Sequence, residues 1–178
     1  DVLSLYPTHR HTLNSVLLSR ASVAGDREFL WFQGESVSYA AAVEQVSRTA
    51  SMLIARAVRR GDRVGVMSTN HPSTVFLLLA LARLGATMVA VNPDYGVAET
   101  RYVLDHAEVC GVVCSPEALP TALSACDGLA RRTWFLLTAH GERDFSGLAQ
   151  LGCGGDQLFP DGRDRHAGVL ERIVGQPH

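Results

Sequence analysis

Cys110 and Cys114 stand four residues apart in a β-branched run, a spacing that invites a metal reading. On a strand the two thiols share a face but lie about 13 Å apart, at ~3.3 Å per residue. Two thiolates on one zinc, each bonded at about 2.3 Å, cannot span that gap. Cys126 and Cys153 add no CxxC spacing, so the cysteines read as small apolar residues and no metal site is expected. Gly152-Cys153-Gly154-Gly155 has the composition of a phosphate-cradling loop. No strand precedes it and no helix follows, so no helix dipole stands behind its N–H groups, and it reads as a surface loop. Arg60-Gly61-Asp62 spells an adhesion tripeptide, but it lies at a helix-to-strand turn where glycine and aspartate serve geometry. His9-Arg10-His11 reads as a solvated segment, and the seven histidines form no HExxH pair. With no GxSxG elbow either, the chain carries no catalytic constellation.

The chemistry that remains depends on topology, and therefore on the elements. Gly61 to Pro93 reads as turn, strand, loop, helix, turn and strand. Arg63–Met67 is a short strand, Pro72 opens a helix with Asn70 or His71 as its cap, and Gly85 ends that helix in the left-handed region. Thr87 to Val91 is the next strand, stopped by Asn92-Pro93. Two strands joined through such a helix form a right-handed βαβ unit with parallel strands. The helix contains the unbroken apolar run Val75 to Ala82, far short of the about 20 residues a membrane span needs. It is expected to be a core helix covered on most sides.

Around this unit, Thr12 to Val23 has a helical stripe with Thr12 as cap. Phe29–Phe32 and Ser36–Tyr39 read as a β-hairpin around Gln33-Gly34-Glu35. Ala40 to about Val58 is a long amphipathic helix. Downstream come a helix over Val97–His106, a strand over Val109–Cys114, a helix over Pro116–Ala125 and a strand over Thr133–Leu137. This alternation predicts an α/β fold, mainly a parallel sheet with helices on both faces, plus an N-terminal β-hairpin. The α/β unit is expected over residues 1–140, with a glycine-rich polar tail over 141–178, in the same domain or disordered. In such open sheets ligands bind beyond the carboxyl ends of the strands. Those ends carry Ser68-Thr69-Asn70, Asn92-Pro93-Asp94-Tyr95 and Ser115-Pro116, all equally suited to plain turns.

Composition narrows the partners. An apolar content of 47% and a net charge of −2 over 178 residues describe an ordinary globular chain. No basic cluster exceeds a pair, so no nucleic-acid partner is expected. All 16 basic residues are arginine. Irregular cysteine spacing and the lack of a charged-then-apolar leader predict a reducing, cytoplasmic location. The first residue is Asp1 rather than Met, which points to a piece of something longer.

The ordered set Ser36-Val37-Ser38-Tyr39, Arg59-Arg60-Gly61-Asp62-Arg63-Val64, Asn70-His71-Pro72, Leu81-Ala82-Arg83-Leu84-Gly85-Ala86 and Val91-Asn92-Pro93 resembles the start of the adenylate-forming enzymes. Val91-Asn92-Pro93 and Glu99-Thr100-Arg101-Tyr102-Val103-Leu104 are most similar to the acyl-CoA synthetases of that superfamily. The resemblance covers about Thr12 to Leu137. It implies the fold of the family's N-terminal subdomain. It also implies an ATP-dependent ligase that converts a carboxylate to an acyl-adenylate and then to a coenzyme A thioester. ATP, magnesium and coenzyme A are implied for a full-length member, none of them bound by this chain alone.

In some members the loop after the second strand approaches the coenzyme A nucleotide. The resemblance therefore implies Asn92, Pro93, Asp94 and Tyr95, with Asn70, as contact candidates, and no catalytic residue. Where the family carries Glu-Leu after its tyrosine, this chain has Ala41 and Ala42. The family's phosphate loop and catalytic lysine are absent, and arginine does not replace a compact ammonium group. The expected reading is an N-terminal fragment of an acyl-CoA ligase, inactive alone, whose partners are downstream ligase subdomains. The alternative is a naturally short α/β interaction module that binds a separate protein. A Rossmann dinucleotide domain is a distant third, since no GxGxxG follows a strand.

Overall fold

A computed structural model describes residues 12–129 and 133–137. Five helices and six strands follow in order: α1 (Leu13–Ala24), β1 (Glu28–Phe32), β2 (Glu35–Ser38), α2 (Tyr39–Ala55), β3 (Arg63–Met67), α3 (Pro72–Leu84), β4 (Thr87–Ala90), α4 (Val97–His106), β5 (Gly111–Cys114), α5 (Leu119–Cys126) and β6 (Trp134–Leu137). The strands β4-β3-β5-β6 form one parallel sheet in that spatial order, and β1 and β2 form a separate antiparallel hairpin. The predicted fold class is therefore the observed one. The tail expected over 141–178, and the boundary at 140, lie outside the described residues.

Handedness explains the layers. The chain leaves β3 for β4 on one side, then returns past β3 to β5 and on to β6. Right-handed crossovers that run in opposite directions along a sheet must place their helices on opposite faces. Accordingly α3 packs with α1 and α2 over Val64, Val66 and Val113. Residues of α4 and α5 pack over Met67, Val112 and Cys114. The alternation of Val112 and Val113 between the two clusters is the period-two pleat at work. The apolar run in α3 is covered as expected: Phe76, Leu77, Leu79, Ala80 and Leu81 are buried, and Leu78 faces outward.

Cys110 corrects one expectation. It precedes β5 and packs on the α2–α3 side, whereas Cys114 lies in the α4–α5 cluster. The two thiols do not share a face, because the strand begins at Gly111 and Cys110 lies outside its period-two alternation.

Helix ends supply the other corrections. The second helix stops at Ala55 rather than near Val58. Ala57 takes φ 59, and the Val58 and Ala57 N–H groups donate to the Leu53 and Ile54 carbonyls. That pair of bonds is a Schellman motif, which satisfies the last carbonyls of the helix. Helix α4 ends the same way at Glu108, with Val109 N–H donating to the Leu104 carbonyl. Among these three helices only α3 uses glycine for this purpose, Gly85 at φ 71. The hairpin turn is Gln33-Gly34, both with positive φ, as a two-residue turn between right-twisted strands requires. Helix α5 starts at Leu119, not Pro116, because a tight turn with Ala118 N–H on the Ser115 carbonyl comes first.

An alanine in the left-handed region costs about 1–2 kcal/mol, and glycine forfeits roughly 0.5–1 kcal/mol in chain entropy. Ala57→Gly is therefore expected to stabilise the protein by about 0.5–1 kcal/mol. The check is a higher denaturation midpoint at unchanged m-value, and an equal or lower midpoint contradicts it.

Candidate functional site

The strand order places a topological switch point between β3 and β5, where the chain turns back past its own first strand. The loop after β3 leads to α3 on one face, and the loop after β5 leads to α5 on the other. Their divergence opens the sheet's carboxyl end at that point. Ser115 N–H donates to the Met67 carbonyl at 3.0 Å and ties the two strands together there. Ser115 is buried, Ser68 is half-buried, and Thr69 and Asn70 are exposed. The Ser68 hydroxyl donates to the Thr69 carbonyl at 3.1 Å.

Asn92, Pro93, Asp94 and Tyr95 lie on the other side of β3, after β4, which pairs only with β3 among the described strands. Asn92 Oδ1 accepts the Asp94 N–H at 3.0 Å, and the Asn92 carbonyl accepts the Tyr95 N–H at 3.1 Å. The Asn92 side chain thus shapes its own turn. Asp94 and Tyr95 point to solvent, Tyr95 being 42% exposed. The structure therefore brings Asn70 together with Ser68 and Ser115 at the switch point and leaves the 92–95 turn beside it.

Sequence reasoning missed the role of His71, naming it only as one of two possible caps. His71 caps α3 and its ring meets Phe32 of the hairpin edge-to-face, with centroids 5.5 Å apart. It also missed two buried hydroxyls, Thr74 and Thr100, whose Oγ1 atoms have no hydrogen-bond partner in the structure. Nothing in a threonine's sequence context separates a buried hydroxyl from an exposed one.

Two of the thiols, Cys114 and Cys126, are held in the neutral form. Burial pushes the Cys114 thiol up to about 12, and the neighbouring Cys126 adds to the shift. Burial also raises Cys126 to about 11, opposed by the Arg101 guanidinium. Both are held neutral at pH 7, so neither is poised as a nucleophilic thiolate. Among the described residues no three His, Cys, Asp or Glu side chains gather in a way that could hold a metal ion.

Donor chemistry decides what this end of the sheet can hold. The segments 68–70, 92–95 and 115–116 supply hydroxyls, amides, one carboxylate and one phenol, but no arginine or lysine. That set does not fit a magnesium triphosphate, whose charge calls for cations and a backbone nest. It can form a polar wall beside a ligand held by other groups. Among the described residues, no helix is long and apolar enough to cross a membrane.

A family model described as "AMP-binding enzyme" matches residues 17–147, well over half of the chain. The crotonobetaine/carnitine–CoA ligase of Salmonella paratyphi B is 32% identical over 105 residues, which cover 56% of this chain and 20% of that protein. The chain thus spans about a fifth of the length of the curated relatives it matches. Among solved structures, the benzoate CoA ligase of Burkholderia xenovorans LB400 superposes with a TM-score of 0.69 at 16% identity. That match covers 78% of this chain and 28% of the ligase. A fatty acyl CoA synthetase of Mycobacterium tuberculosis gives 0.66 at 21% identity, covering 81% and 28%. At such identities the likeness speaks for the fold.

Proposed function

The chain belongs to the AMP-binding enzyme family, and from that membership we propose that it is the N-terminal subdomain of an acyl-CoA ligase. The observation that carries this reading is the family match over residues 17–147, joined to curated relatives that are CoA ligases. The reaction class is ATP-dependent activation of a carboxylate to an acyl-adenylate, followed by transfer to the coenzyme A thiol.

In this reading the chain's own residues build one wall of the active-site crevice. Ser68 and Asn70 present polar groups at the switch point, where buried Ser115 ties β5 to β3, and the 92–95 turn beside them is the part that would face the coenzyme A nucleotide. Tyr95 offers an exposed ring for contact, and Asp94 an exposed carboxylate. With no lysine in the chain, the cation that stabilises the adenylation transition state comes from downstream subdomains. Residues 1–178 alone are therefore expected to be inactive.

The test starts from the native protein in the source organism. Peptide mass spectrometry is expected to find sequence beyond His178, and that longer product is expected to show carboxylate-dependent ATP–pyrophosphate exchange. Residues 1–178 alone are expected to give no exchange above controls. A native product of 19.2 kDa with no ligase activity would overturn the ligase reading and favour the interaction module. Exchange by residues 1–178 alone would overturn the division of labour.

A further inference from the structure

We propose that Asn92 is a positioning residue, which fixes the direction in which Tyr95 meets a ligand beside the carboxyl end of the sheet. In the ligase reading, on which this role rests, that ligand is coenzyme A. Residues 92–95 close a four-residue turn, in which the Asn92 carbonyl accepts the Tyr95 N–H at 3.1 Å. Pro93 suits the second position of such a turn, because its ring pre-sets the φ needed there. Asn92 Oδ1 accepts the Asp94 N–H at 3.0 Å and closes a smaller ring inside the turn. Asparagine is favoured at the first position for that reason.

These bonds decide what the turn can offer. Pro93 has no N–H, and the amides of Asp94 and Tyr95 both donate inside the turn. No backbone donor over 93–95 is left for an anion, so the turn is not a phosphate-binding nest. What it presents outward is the side chains of Asp94 and Tyr95, both exposed. The Asp94 carboxylate repels phosphate at close range. The Tyr95 ring, 42% exposed, is the group that can make a favourable contact with an anionic nucleotide.

The turn is short and held at both ends. Upstream, Val91 is buried and its N–H donates to the Val66 carbonyl at 2.9 Å, which ties the chain after β4 to β3. Downstream, Gly96 is the N-cap of α4, and its carbonyl accepts the Thr100 N–H at 3.0 Å. That helix packs on β3 through buried Leu104, against Gly65. With both ends fixed, the direction of Tyr95 is set by the peptides at 93–95. The Oδ1 bond holds the Asp94 amide, so losing it frees that peptide to rotate and carries the Tyr95 ring with it. Asn92 thus acts through Tyr95, by shaping the turn that presents it.

Asn92→Ala in the full-length protein tests this role, with Asn92→Ser as the conservative variant. Serine keeps an acceptor for the Asp94 N–H, removes the side-chain amide donor and adds no charge. With the carboxylate that supports ATP–pyrophosphate exchange, Asn92→Ala is expected to raise the KM for coenzyme A about three- to tenfold, the range that one net hydrogen bond supports. The KM for ATP is expected to move clearly less. Millisecond hydrogen–deuterium exchange without any substrate is expected to show lost protection of the Asp94 amide. Asn92→Ser is expected to restore most of both. In a Tyr95→Ala background, Asn92→Ala is expected to add no further rise, because the two substitutions remove the same contact. An unchanged KM for coenzyme A, an equal rise for ATP, unchanged exchange at Asp94, no rescue by serine, or an additive loss in the double variant overturns the positioning role and leaves the ligase reading standing. No thioester formation by the unaltered full-length protein overturns the ligase reading, and the positioning role with it.

Discussion

Gly65→Ala is expected to cost about 1–3 kcal/mol, a large share of the roughly 5–15 kcal/mol that holds a domain folded. Gly65 is the middle residue of β3 and is fully enclosed. A Cβ added there would lie 2.7 Å from Leu104 Cδ2 and 3.4 Å from Val112 Cγ2. The constraint is therefore packing, not backbone conformation, since Gly65 is not among the residues with positive φ. Helix α4 comes down onto the sheet through Leu104, itself 1% exposed, and the missing side chain of Gly65 is the space Leu104 fills.

This makes the two positions partners. Leu104→Ala alone should cost about 2–5 kcal/mol through the cavity it leaves. In the double variant the new methyl group occupies part of that cavity, so the combined loss should fall short of the sum by about 1 kcal/mol or more. Urea denaturation of the four proteins measures this directly. Strict additivity would mean that Leu104 is not what limits position 65.

The other large effect is on the opposite face. Phe76→Ala is expected to destabilise by about 3–5 kcal/mol. Phe76 is 1% exposed and packs in the cluster formed by α1, α2, α3 and the inner face of β3 and β5. Two residues later in the same helix, Leu78 is 40% exposed. Leu78→Ala should therefore change stability by only about 0.5 kcal/mol, as surface substitutions do. Comparable losses at 76 and 78 would contradict the layered arrangement, because they would require α3 to be enclosed on all sides.

The contrast between these two residues marks a limit of sequence reading. Both lie in one unbroken apolar run, and periodicity alone does not separate the buried from the exposed side of a helix that is apolar all round. Helix stops divide in a similar way. Gly85 announces its own left-handed turn, but Ala57 and Glu108 adopt the same conformation with no compositional cue. Their turns are stabilised by the next residue in each case. Buried Val58 and Val109 return to the core and bring their N–H groups onto the carbonyls of Leu53 and Leu104. Apolar periodicity therefore carries the second helix on to Val58, past its actual end at Ala55.

By itself the sequence determined the alternation of strands and helices, the parallel βαβ unit at its centre and the covered helix over the sheet. It did so because proline, glycine and apolar periodicity act locally, within one or two turns of chain. It also determined that no lysine can come from these residues. Only the tertiary structure decided which strand ends meet. The order β4-β3-β5-β6 joins Ser68–Asn70 to Ser115, which are distant in the chain, and sets Asn92–Tyr95 to one side. Strand order is chosen by the handedness of crossovers and by which helix faces can be buried together, and neither is written at any single position.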